Sequence, residues 1–98
     1  MRDLKFEWDE AKDSAHRRKH GVAFVEACSV FSDERALLLD DPDHSPDQDR
    51  FILLGLSFTM RLLVVHHTLR AGGDVLRIIS ARKATRAERD QYIRRWRP

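Results

Sequence analysis

Three apolar runs follow one another at close spacing in the second half of the chain, over residues 50–57, 62–68 and 75–81. Only residues 58–61 and 69–74 separate them, the second gap containing the Gly72-Gly73 pair. Each run has the length of a strand, and a connection of four to six residues is too short for the crossover that parallel neighbours need. The three runs must therefore form an antiparallel meander. A shorter apolar run at residues 35–39 supplies a fourth strand. Residues 40–49 after it hold two prolines and show no periodicity, which reads as a loop.

The first third of the chain has a different pattern. Residues 4–8 alternate apolar and charged side chains as a half-buried strand does, and Asp9 then offers an N-cap for a helix running to about Lys19. Gly21 can take the left-handed conformation that closes such a helix. Phe24, Ala27, Cys28 and Phe31 then recur at helical spacing, one face of a second short helix. Ala23 is a poor cap, so the first turn of this helix either frays or takes an acceptor from elsewhere in the chain. At the other end, Thr85 and Glu88 form a capping-box pattern for a last helix reaching Trp96. The order is strand, helix, helix, four strands, helix. Helices at both ends of an antiparallel sheet give an α+β fold with an N-terminal helical hairpin and a C-terminal helix. The 98 residues fit a single domain, 1–98.

Charge is distributed unevenly. Residues 32–49 carry one basic and seven acidic side chains, whereas residues 77–98 carry eight basic and two acidic ones. Seven of those eight are arginine, the side chain suited to bidentate contact with phosphate or carboxylate, so the partner of this segment should be an anion. The acidic stretch lacks the glycine and terminal glutamate of a calcium loop, and His44 within it reads as solvated. There is no Cys-His cluster for zinc and no glycine-rich phosphate loop, so no metal and no cofactor are expected. Cys28 stands alone, as a structural thiol in a reducing, cytoplasmic setting. No signal peptide and no membrane span is legible.

Three blocks resemble the BrnT toxins. The first comprises Phe6, Trp8, Asp9, Lys12, Lys19, His20, Gly21, Val22, Phe24, Glu26 and Ala27. The second is Asp49-Arg50-Phe51 with Leu54-Gly55, Leu63-Val64-Val65 and His67-Thr68. The third runs from Arg77-Ile78-Ile79-Ser80-Ala81-Arg82-Lys83-Ala84-Thr85 to Glu88, Arg89 and Tyr92. The chain departs from the pattern at His16 and Ala23. The resemblance implies a RelE-like toxin domain and metal-independent endoribonuclease activity that inhibits translation. It also implies a ribbon-helix-helix antitoxin of the BrnA type, which binds the toxin and, itself, operator DNA. A non-catalytic module whose basic face holds nucleic acid or an acidic protein would explain the charge equally well.

Cleavage without metal lets the 2′-hydroxyl of RNA attack the adjacent phosphate, so the protein must supply a base, an acid and positive charge for the intermediate. Arg77 lies mid-strand, where it must reach an open sheet face or meet a carboxylate. Arg82 lies at a strand end just before a capped helix, a common place for an anion site, and is the foremost catalytic candidate. Lys83 and Arg86 are expected to position the RNA backbone. His66 and His67 are adjacent on a strand and must face opposite ways, and the family pattern favours His67 as the third catalytic residue. His20 reads as a helix C-terminal residue. The last helix has a thin apolar stripe of Tyr92, Ile93 and Trp96 among its arginines. That stripe is the expected antitoxin-binding surface.

Overall fold

The computed structural model describes residues 4–40 and 50–96. The acidic stretch from Asp41 to Asp49, with His44, lies outside the described residues. The elements are β1 (Lys5–Glu7), α1 (Glu10–His20), α2 (Phe24–Ser29), β2 (Leu37–Leu39), β3 (Arg50–Leu56), β4 (Leu62–Arg70), β5 (Val75–Lys83) and α3 (Arg86–Trp96). A single 3-10 turn (Val30–Ser32) prolongs α2 and brings Phe31 onto its apolar face. The strands form one sheet in the order β1-β5-β4-β3-β2.

The meander β3-β4-β5 is antiparallel throughout, as the short connections require, and β2 adds to it antiparallel. β1 joins the opposite edge parallel to β5. The direction follows from the connection, because α1 and α2 carry the chain from one edge of the sheet to the other across one face. That leaves β1 to pair with the last strand rather than with a sequence neighbour.

Local signals fix the helix ends. Asp9 caps α1 by accepting from the N–H groups of Ala11 and Lys12 at 2.8 and 3.1 Å. Gly21 closes it at φ 70, a region that glycine enters without a Cβ penalty. Ala23 gives α2 no side-chain cap, and Asp13 supplies the acceptor instead, its Oδ1 2.8 Å from the Phe24 nitrogen. The second helix thus borrows its cap from the first, which holds the hairpin together. At α3 the capping box is complete: Glu88 N–H donates to Thr85 Oγ1 and Thr85 N–H to Glu88 Oε1.

The sheet is covered differently on its two faces. On one, Val22, Phe24, Ala27 and Val30 pack against Leu53, Leu63, Val65, Ile78 and Ala81. On the other, Tyr92 of α3 packs on Ile52, Leu54, Leu62 and Val64. Residues 62–65 are apolar without alternation because both faces of β4 are buried there. Close approach shows at Gly55, where an added Cβ would lie 2.7 Å from Val30 Cγ1. No helix among the described residues is long and apolar enough to cross a membrane.

A buried ion pair ties the β3–β4 turn to α2. Glu26 Oε2 accepts from Ser57 Oγ, Thr59 Oγ1 and Arg61 Nε at 2.7, 2.6 and 2.9 Å, and its Oε1 accepts from Arg61 Nη2. The Arg61 guanidinium holds the Glu26 carboxyl down to about 2. A folded-state value below the unfolded one stabilises the fold above about pH 4.5, and that contribution is lost as pH falls toward 2. Glu26→Gln should therefore cost about 2 to 3 kcal/mol at pH 7. In urea unfolding, the gap from wild type should close between pH 4.5 and 2. A gap that stays constant with pH would show that charge does not carry the effect.

Candidate nucleic-acid interface

Strand register decides which side chains share the face that α3 leaves partly open. Residues directly opposite on neighbouring strands point the same way, and alternate residues of one strand share a face. Ile52 and Leu54 face α3, so Arg50 does too, and its partner across β4 is Thr68. Thr68 is opposite Arg77, which is opposite Glu7. The next row holds Ser80, His66 and Ile52, and the row beyond holds Arg82, Val64 and Leu54. Arg77, His66 and Arg82 therefore stand on one face, with His66 between the rows of the two arginines.

That placement depends on a bulge. Arg77 and Arg82 are five residues apart, which on a regular strand puts them on opposite faces. The register shifts between His66 and His67, whose partners are Ser80 and Ile78, so Ile79 is left over. The extra residue restores Arg82 to the face of Arg77, as bulges near functional sites commonly re-aim a side chain.

Each arginine is held by a carboxylate. Arg77 Nη1 lies 2.7 Å from Glu7 Oε2, and Arg70 approaches the same oxygen at 3.5 Å. Mid-strand Arg77 thus reaches the open face and meets a carboxylate at once. Arg82 grips Glu88 end-on, with Nη1 and Nη2 at 2.8 and 2.9 Å from its two oxygens. Arg82 holds the Glu88 carboxyl down to about 2, and Glu88 in turn pushes the Arg82 value up. The capping glutamate of α3 therefore also fixes the guanidinium. Among the described contacts, the Nε edge of Arg82 carries none, and this is the edge that can take a phosphate side-on. Lys83 and Arg86 are exposed beside it. Four arginines, Arg50, Arg70, Arg77 and Arg82, thus share this face with Glu7, and Arg86 follows beside Glu88 on α3, whereas Lys83, opposite Leu63, starts from the other face at the strand end. Among the described residues, no cluster of three or more His, Cys, Asp or Glu side chains could hold a metal.

The structure does not bring His67 to this face. It is 5% exposed and packs on the helix side, edge-on to Phe31 at 4.8 Å and stacked on Phe51 at 5.7 Å. Its Nδ1 is 3.4 Å from the Val65 carbonyl oxygen, and burial lowers its pKa. A neutral ring enclosed by two phenylalanines is a core residue, and the histidine beside Arg77 and Arg82 is His66. Alternation alone says that the two histidines diverge, but which one faces the arginines follows only from register. His20, at the C-terminal end of α1, has a pKa lowered by desolvation and then by the Lys19, His16 and Arg82 charges.

The expected antitoxin stripe also changes. Tyr92 is 4% exposed, and its hydroxyl donates to Asp33 Oδ2 at 2.7 Å, so it anchors α3 to this chain's own core. Ile93 stays 45% exposed. Trp96 ends α3, and its side chain lies outside the described part of the structure.

The family model for the ribonuclease toxin BrnT of type II toxin-antitoxin systems matches residues 8–88. Among solved structures, the chain is similar to the ribonuclease toxin BrnT of Brucella abortus, known at 1.1 Å resolution. The TM-score is 0.63 at 24% identity, over 86% of this chain and 100% of that one. That likeness supports the α+β fold. A comparison with curated proteins gave no match. The family match spans the first helix, the meander, both arginines and the capping box of α3, and the chain accordingly belongs to the BrnT family of ribonuclease toxins of type II toxin-antitoxin systems.

Proposed function

We propose that this chain acts as a single RelE-like domain that cleaves RNA without a metal ion, on the open sheet face, and thereby arrests translation in the cytoplasm. The observation that carries the reading is the gathering of Arg77, His66 and Arg82 on one cationic face by the bulge at Ile79. In this reading, His66 takes the proton of the 2′-hydroxyl as its oxygen attacks phosphorus, a task suited to imidazole near neutral pH; the bond from phosphorus to the 5′-oxygen breaks, leaving a 2′,3′-cyclic phosphate, and the 5′-oxygen takes a proton from water. Arg82, fixed by Glu88, stabilises the charge on the pentacovalent phosphate, and Arg77 binds the same phosphate or its neighbour by exchanging Glu7 for it. The Glu7 pair is partly exposed and contributes little to stability, so an incoming phosphate can displace it. Lys83 and Arg86 hold the backbone of the RNA and give binding its salt dependence.

The partner in this reading is a ribbon-helix-helix antitoxin that neutralises the toxin and alone contacts operator DNA, with Ile93 and Trp96 of α3 on its side of the complex. The test is incubation of the purified protein with end-labelled RNA in excess chelator, with and without ribosomes. Cleavage in chelator is the expected result, and cleavage that returns only with added magnesium would overturn the metal-free reading. One observation favours a second reading. Both arginines already have carboxylate partners, as they would in a surface that binds RNA without cutting it. Retention of RNA with no cleavage, with or without ribosomes, would select that alternative.

A further inference from the structure

The β3–β4 turn carries two large apolar side chains that the fold itself does not use. Phe58 is 68% and Met60 74% exposed, while the polar groups around them are tied down. Ser57 N–H donates to the Arg61 carbonyl at 2.8 Å, Met60 N–H to the Ser57 carbonyl at 2.9 Å and Phe58 N–H to Ser29 Oγ at 3.0 Å. The buried Glu26 then fastens Ser57, Thr59 and Arg61 from below. Met60 itself sits at φ 65, among the described residues the one non-glycine side chain in the left-handed region. A turn that needs only to reverse the chain would place glycine or asparagine there. These hydrogen bonds instead hold the backbone of the turn in place while it presents two apolar side chains to water, so little backbone entropy is left to lose when something covers them.

Beside the turn, α3 and the ends of β3 and β4 form an apolar groove lined by Leu56, Leu62, Tyr92 and Ile93, with Arg89 at its edge. Met60, Lys83 and Arg89 line the adjoining depression. The groove meets that depression at Leu62 and Arg89, where Lys83 and Arg89 supply positive charge, and Phe58 lines a separate depression with Ser29, Ser32 and Asp33 that meets the groove at Leu56. Glu88 and Arg89 are consecutive, so the edge of the groove and the Arg82–Glu88 pair both lie on the first turn of α3.

The geometry points to this groove, with Ile93 along it, Met60 past Leu62 and Phe58 past Leu56, as the docking surface for an acidic amphipathic segment of the antitoxin; the inference rests on the proposed toxin reading. Lys83 and Arg89 select for acidic side chains in the partner. The apolar groove and the exposed Phe58, Met60 and Ile93 select for a segment with one apolar face, as when a helix docks in a groove. A segment seated there brings its carboxylates to Lys83 and Arg86, next to Arg82, so that binding and closure of the RNA face occur together. RNA stacking on Phe58 is the competing occupant. It accounts for the cations and one aromatic side chain, but not for Met60, Ile93 and an aliphatic floor.

The experiment uses the full chain, with the proposed ribbon-helix-helix antitoxin, purified, as one probe and a labelled RNA oligonucleotide as the other. Phe58→Ser, Met60→Glu and Ile93→Glu change exposed side chains outside the core, and Leu38→Glu, at a 66% exposed position on β2, serves as control. Antitoxin affinity should fall about tenfold or more for each of the three and stay unchanged for the control. RNA cleavage by the free toxin should remain at the wild-type rate. Higher salt should slow association much more than it speeds dissociation. Antitoxin affinity unchanged in all three variants, in proteins that still cut RNA, would overturn the docking surface and leave the toxin reading standing. A loss of RNA binding with antitoxin affinity intact would reassign the patch to RNA. A wild-type chain that neither cuts RNA nor binds the antitoxin would remove the parent reading and this inference with it.

Discussion

Arg82→Ala should lower RNA cleavage about 10²- to 10³-fold, the loss found when one fixed donor to a developing negative charge is removed. Among the arginines of this sheet face, Arg82 is held by two hydrogen bonds to one carboxylate, both of its terminal nitrogens resting on Glu88. A donor already in place needs no reorganisation when charge develops on the phosphate, and this is why its removal costs so much. The fold should tolerate the change. Glu88 keeps its bond from the Thr85 N–H, so the cap of α3 survives, and the lost ion pair is partly exposed. Arg82→Lys should recover only part of the activity, because an ammonium cannot hold Glu88 and phosphate along two edges at once. The check is a single-turnover cleavage rate beside a urea unfolding curve. Wild-type cleavage by Arg82→Ala would remove this residue from the chemistry. In cells without antitoxin, the same substitution should relieve growth arrest at equal protein abundance.

The paired histidines should separate activity from stability. His66→Ala is expected to slow cleavage about 100-fold, as loss of a general base does. Its effect on stability should be about 1 kcal/mol or less. His67→Ala removes a buried ring from between Phe31 and Phe51, so it should cost about 2 to 4 kcal/mol by leaving a cavity. Any activity lost by His67→Ala should follow the fraction of protein unfolded. Both variants can be measured for cleavage at a temperature where the weaker one remains folded. A His67→Ala protein that is fully folded yet inactive, beside an active His66→Ala, would return the role to His67.

Much of this molecule is legible in the sequence because the signals concerned are local. Asp9, Gly21 and the Thr85–Glu88 pair act on backbone groups within four residues of themselves, so the helix ends fall where those residues stand. The three apolar runs and their short gaps leave no topology but a meander, and the arginine-rich last segment announces an anionic partner before any fold is known.

The rest was decided over longer distances. Asp13 caps a helix that begins eleven residues later, and the parallel pairing of β1 with β5 depends on where two helices deliver the chain. Tyr92 looks like an unfinished apolar stripe until its hydroxyl is seen on Asp33, fifty-nine residues away. Above all, strict alternation would put Arg77 and Arg82 on opposite faces. Only the pairing of β5 with β4 places an extra residue at Ile79 and turns both arginines, with His66 rather than His67, toward the same open surface. The sequence determined which side chains were on hand for the chemistry. A bulge is a property of two strands in register, and so the choice of which side chains meet belonged to the tertiary structure.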